Sequence, residues 1–119
     1  MNLRSIGNGG EDAACAYLTK KGWKIIARNV RRGHGEIDII ARKGRVTAFV
    51  EVKRRGGAGY GMPAEAVNVQ KQRRIAHAAA LWAQEENLQN AELRFDIIEI
   101  LHGELRHIEN AFDATGLLP

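Results

Sequence analysis

The strongest constraint on how this chain folds is a pair of β-branched runs, GEIDIIAR at 35–42 and RVTAFVEVKR at 45–54, with only Lys43 and Gly44 between them. So short a glycine-bearing break joins two strands into an antiparallel hairpin. Successive strand residues face opposite ways. Glu36, Asp38 and Ile40 therefore share one face of the first strand, and Phe49, Glu51 and Lys53 share one face of the second. Ile37, Ile39, Val50 and Val52 point the other way, into an apolar layer. A two-residue loop would set Glu36 opposite Glu51 and Asp38 opposite Phe49. A four-residue loop would set Asp38 directly opposite Glu51. Either register leaves Asp38, Glu51 and Lys53 on one face, with Cβ atoms about 5 to 8 Å apart.

The remaining elements fall around this hairpin. Residues 8–21 read as a helix with Asn8 as N-cap, Glu11 and Asp12 in its first turn and Gly22 as its stop. A short strand at 23–28 and a basic turn through Arg31, Arg32 and Gly33 come next. Gly56, Gly57, Gly59 and Gly61 make a mobile loop of about 55–63, in spacings that do not form a phosphate-binding loop. A helix at 68–86 carries Ile75, Ala78, Ala79 and Trp82 as its core stripe. Strands at 94–101 and about 105–109 follow, and the tail from 111 is irregular. The order αβββαββ predicts an α/β fold, a small mixed β-sheet flanked by helices, in a single domain over 1–119. Its 119 residues can bury a core without disulfides. Lone Cys15 cannot form an internal bridge, and the longest apolar run, 78–83, is too short to span a bilayer, so no membrane and a cytoplasmic location are expected.

A net charge of +4 conceals an uneven distribution. Residues 20–74 hold fifteen Lys and Arg against four acids, a block of +11, while the rest of the chain carries −7. Such a field suits a polyanion. Three of the block's four acids are Glu36, Asp38 and Glu51, on adjacent strands. Carboxylates that close repel one another unless a cation lies between them, and their oxygens suit a hard ion such as Mg²⁺ or Mn²⁺. Lys53 could orient a water or offset charge developing on a phosphoryl group. Cations to hold a polyanion and carboxylates to hold a metal are what phosphodiester hydrolysis needs. Arg31, Arg32, Arg54 and Arg55 flank this centre in sequence and are candidate phosphate contacts.

Glu11 in a first helix, NVRRGHGEIDIIAR, FVEVKRR and AVNVQKQRRIAHAA together resemble the YraN-like uncharacterised protein family, whose members are described as candidate endonucleases. The likeness runs from about Gly9 to Phe112. That family in turn resembles the restriction-endonuclease-like PD-(D/E)XK nucleases, Holliday junction resolvases among them. The resemblance implies that Asp38 and Glu51 are the motif's two acids, Lys53 its lysine and Glu11 the helix glutamate brought to the metal. It implies that Lys71 and Arg74 face the site from the second helix. Ile37 stands where the motif name has proline. The activity implied is metal-dependent cleavage of DNA, including branched or junction DNA in repair or recombination. A two-strand cut would favour a homodimer.

Other residues fit blander roles. His34 reads as an exposed turn histidine, while His77, His102 and His107 lack metal-ligand spacing with each other or with Cys15. Tyr60 is the one aromatic placed for base stacking. Two other functions compete: a non-catalytic nucleic-acid-binding module that keeps the nuclease scaffold, and an accessory subunit of a larger DNA-processing complex.

Overall fold

Gly22 closes the first helix, α1 (Gly9–Lys20), by adopting a φ of 96° in the computed structural model, which describes residues 9–55, 67–88 and 91–113. The N–H groups of Gly22 and Trp23 donate back to the carbonyls of Thr19 and Leu18 at 3.0 and 2.9 Å. This pairing satisfies carbonyls that a helix end otherwise leaves open, and it turns the chain sharply into a strand. Three strands follow, β1 (Lys24–Arg32), β2 (Gly35–Lys43) and β3 (Val46–Arg55). The second helix, α2 (Val69–Glu85), starts at Asn68, whose side chain accepts from the N–H of Lys71. Strands β4 (Glu92–Leu101) and β5 (Glu104–Phe112) complete the described chain.

The strands form one sheet in the order β1-β2-β3-β4-β5. Every neighbouring pair is antiparallel except β3 and β4, which are parallel and joined through α2. The expected α/β class, element order and mixed sheet between helices are all present. Under α1, Ala14, Leu18 and Trp23 bury against Ile39, Ala48, Val50 and Ile98. Under α2, Ile75, Ala78, Ala79 and Trp82 bury against Ile37, Ile40, Phe49 and Ile97. Phe49 meets Trp82 edge-on at 5.9 Å and stacks on Phe95 at 5.4 Å, which anchors α2 over the middle of the sheet. Among the described residues no helix is long and apolar enough to cross a membrane.

Four details depart from expectation. Strand β1 runs on through Arg31 and Arg32, because Arg31 pairs with Glu36 across the ladder and Arg32 bonds Glu85 of α2 at 2.7 Å; the turn is Gly33–His34. The hairpin turns at Gly44–Arg45, with Gly44 at φ 61°, rather than at Lys43–Gly44. Ile37 packs with the α2 cluster while Ile39 packs with the α1 cluster, so strict alternation fails at Asp38. There the facing residue of β1, Asn29, has a φ of 53° and drops out of the paired register. Finally, β5 extends to Phe112, which stacks on Phe95 at 5.0 Å. The Asn8 cap, the glycine-rich stretch with Tyr60 and the end of the tail lie outside the described residues.

One polar cluster ties α1 to the β4–β5 edge of the sheet. Asp96, fully buried, accepts two bonds from Arg94 at 2.9 Å, one from the backbone N–H of Asn110 at 2.9 Å, and lies 2.8 Å from Nε2 of His107. Nδ1 of His107 in turn lies 3.1 Å from the Tyr17 hydroxyl. Burial works against the charged form of Asp96, yet the bonds from His107, Arg94 and Asn110 hold its carboxyl below the usual range.

Candidate active site

Strands β2 and β3 are paired only from Lys43↔Val46 to Ile39↔Val50. Beyond that point β2 stays with β1 as far as Gly35, and β3 stays with β4 as far as Arg55. The sheet therefore opens between its second and third strands. Asp38 is the first residue of β2 past the last pair, and Glu51 the corresponding residue of β3. The realised register is thus the one that sets these two acids level with each other.

Parting strands leave main-chain groups without ladder partners. Asp38 meets one of them, since its Oδ2 accepts from the N–H of Val52 at 2.8 Å. Glu51 is buried at 7% exposure, and its Oε1 takes two ammonium groups, Lys71 Nζ at 2.7 Å and Lys53 Nζ at 3.3 Å. Lys53 comes from the same face of β3, and Lys71 from the first turn of α2. The helix just beyond is seated by Gly35: a β-carbon there would lie 2.0 Å from the Arg74 carbonyl oxygen, so only glycine lets the helix backbone rest on β2 this closely.

The electrostatics follow from this crowding. Burial first, then the charge of Glu51, pushes the Asp38 carboxyl up to about 7, with Glu11 and Glu36 adding to the rise and the Val52 N–H opposing it. Burial and the neighbouring Lys71 ammonium lower the pKa of Lys53, although Glu51 pulls the other way. Burial also disfavours charge on Lys71, but Glu51 and Lys53 outweigh it and leave Lys71 raised. Of the two, Lys53 is the one more readily made a neutral amine.

A cleft of about 330 Å³ opens over this centre, lined by His34, Gly35, Glu36, Asp38, Glu51, Lys71, Arg74 and Ile75. Asp38, Glu51, Lys71 and Arg74 therefore converge in one cleft, and Lys53 joins them through Glu51. Glu11 reaches toward the centre from α1. Its charge is felt at Asp38, and its Oε1 is buried without a hydrogen bond, 3.7 Å from Arg28. Among the described residues no three His, Cys, Asp or Glu gather closely enough to cage a metal, so Glu11, Asp38 and Glu51 do not form one ligand cluster. Mg²⁺ does not require such a cage. It is held by one or two carboxylates, with waters and substrate phosphates completing its shell, and Asp38 and Glu51 are donors of that kind.

The flanking arginines divide. Arg31 is 80% exposed and pairs with Glu36 at 3.5 Å beside the cleft, whereas Arg32 is tied to Glu85. Arg54 lies on the α1 side of the sheet, its side chain against Gly10. The side chain of Arg55 lies outside the described residues. His34, read from the sequence as a plain turn residue, lines the cleft. The signal for it was its place in the two-residue turn that leads straight into the acidic strand. Asp96 and its partners gave no such signal, since nothing local marks which strand acid is fully buried.

Residues 10–100 match the model of a family described as "Uncharacterised protein family UPF0102". A UPF0102 protein of Symbiobacterium thermophilum is 47% identical over 116 residues, which cover 93% of this chain and 98% of that protein. One from Rhodococcus opacus is 47% identical over 112 residues, covering 92% and 95%. Another from Lachnoclostridium phytofermentans is 44% identical over 117 residues, covering 98% and 99%.

Proposed function

The chain belongs to the uncharacterised protein family UPF0102, and on that premise we propose that it is a Mg²⁺- or Mn²⁺-dependent endonuclease acting on DNA. The observation that carries this reading is the pair Asp38 and Glu51, level with each other where two strands part, with two lysines on Glu51 and Arg74 beside them. Asp38 and Glu51 would hold the ion, with Glu11 nearby. When bound, the metal would supply Lewis acidity toward a phosphoryl oxygen and a more acidic water.

The protein's own groups do the rest. Lys71 leans on Glu51 and faces the cleft, where its charge can meet a phosphoryl oxygen as negative charge builds there. Lys53, held on the same face of β3 as Glu51, can orient the attacking water or offset charge developing on the phosphoryl oxygens. Arg74, which lines the cleft without an ion-pair partner among the described residues, can hold the backbone there. Main-chain contact of Asp38 with Val52 fixes the carboxylate before substrate arrives, which removes an orientation cost from the reaction.

The test is incubation with plasmid, forked, four-way-junction and RNA substrates in Mg²⁺, Mn²⁺ or EDTA. Metal-dependent cutting of DNA, lost in Asp38→Asn and Lys53→Ala, is the expected result. Cutting that survives both substitutions would overturn the assignment. The engagement of one Glu51 oxygen by two lysines favours a second reading, a nucleic-acid-binding module that does not cut. It predicts salt-sensitive binding with no cleavage in any metal.

A further inference from the structure

Several arginines in the described residues are neutralised. Arg28 bonds Asp12 at 2.8 Å, Arg31 faces Glu36, Arg32 bonds Glu85 and Arg94 bonds Asp96. Arg73 and Arg74 have no ion-pair partner among the described residues, and both are exposed on α2. They line a second cavity, of about 610 Å³, together with His34, Gly35 and His77. Among the described residues no carboxylate lines it. The cleft holding Asp38 and Glu51 shares His34, Gly35 and Arg74 with it, so the two spaces adjoin. Arg73 and His77 stand four residues apart on one helix face, while His34 comes from the β1–β2 turn, whose Gly33 lies against the His77 ring.

An acid-lined cleft adjoining a pocket whose described lining holds two unpaired guanidinium groups and no carboxylate suits a chain of phosphates better than a single one. Guanidinium forks bind phosphate oxygens in pairs, and imidazole N–H groups can add donors at the same anion.

We propose that the pocket formed by His34, Arg73, Arg74 and His77 binds a nucleic-acid phosphate next to the one positioned over Asp38 and Glu51. This rests on the reading of that cleft as a nuclease site, and it adds a second subsite with residues of its own. The same chemistry would take an internal phosphodiester of the strand or a terminal phosphate.

The test measures binding of the full chain to short fluorescent DNA across a salt series, in EDTA so that cutting plays no part. Each phosphate contact contributes about 0.9 to the slope of log K against log salt on duplex DNA. Arg73→Gln is expected to lower that slope by about 1, and Arg73→Gln with His77→Gln to weaken binding further, with melting temperatures unchanged because both side chains are exposed. Arg45→Gln removes the same charge from a separate cavity at the far turn, lined by Arg42, Gly44, Arg45 and Ala91, and is expected to leave the slope as it was. Oligonucleotides with and without a 5′-phosphate identify the source: equal affinity marks an internal phosphodiester, and tighter binding of the phosphorylated form marks a terminal phosphate. An unchanged slope in Arg73→Gln, or an equal fall in Arg45→Gln, would overturn the subsite. If wild type binds with the expected slope yet never cuts, the nuclease reading fails and the subsite stands. If it cuts while Arg73→Gln binds normally, the reverse holds.

Discussion

Replacing Gly35 with alanine should unseat α2, and the structure gives the size of the effect. The added β-carbon would stand 2.0 Å from the Arg74 carbonyl oxygen, 2.8 Å from its carbon and 3.0 Å from the Ala78 β-carbon. Ordinary separations between such atoms are above about 3 Å, so the helix backbone must retreat by about 1 Å. Overpacking of this kind costs about 1–3 kcal/mol. For a chain of this length that is roughly 4–12 °C in melting temperature. Gly35 has no left-handed φ, so the loss is steric alone; at Gly44, where nothing lies within 4 Å but φ is 61°, alanine should cost only about 1 kcal/mol through the backbone. Lys71 lies one helical turn before Arg74, so the same retreat should lengthen its 2.7 Å contact with Glu51. Urea unfolding followed by circular dichroism measures the first effect. A loss below about 0.5 kcal/mol, or full rescue by Ala78→Gly, which leaves the Arg74 carbonyl in place, would refute the seating of α2 on β2.

Asp38 binds a proton more readily folded, at about 7, than unfolded, near 3.8, so its contribution to stability falls as pH rises through that window. Asp38→Asn should therefore be more stable than wild type at pH 8, with the gain vanishing by about pH 4; a gain that is constant with pH would contradict the shift. Lys71→Met should tighten Mn²⁺ binding roughly fivefold, the equivalent of about 1 kcal/mol for a partly exposed lysine, because it removes the nearer of the two ammonium groups on Glu51. Calorimetry showing weaker binding would mean that Lys71 does not compete with the ion. Asp96→Ala should cost about 3 kcal/mol at pH 7, since it strands Arg94 and His107. The carboxyl of Asp96 is held low, so its contribution persists above the ordinary carboxylate range and is lost only in stronger acid; chemical unfolding at pH 7 and pH 3 should show the difference between the two proteins shrinking.

Strand runs, helix stripes and their order were legible because each rests on local periodicity. Ile75, Ala78, Ala79 and Trp82 are all buried as their spacing required. Face parity placed Asp38 and Glu51 together, yet it misplaced Ile37, because the irregular Asn29 on a neighbouring strand breaks the alternation. No pattern within β2 reports that event. Arg54 was grouped with Lys53 by adjacency, although successive strand residues face opposite layers and it lies by α1. Tertiary charge pairing was the least legible layer. Whether an arginine is neutralised, as Arg32 is by Glu85 of α2, depends on a partner more than fifty residues away.

The parting of β2 and β3 also separates two demands made on one position. At Asp38 an oxygen must replace the ladder bond that the Val52 N–H loses where the strands diverge. An asparagine oxygen can do that as well as a carboxylate. Only the negative charge distinguishes aspartate there, and that charge is costly in a centre already holding Glu51. Aspartate at 38 is thus more than the architecture asks for, and the excess is the part left over for a cation to answer.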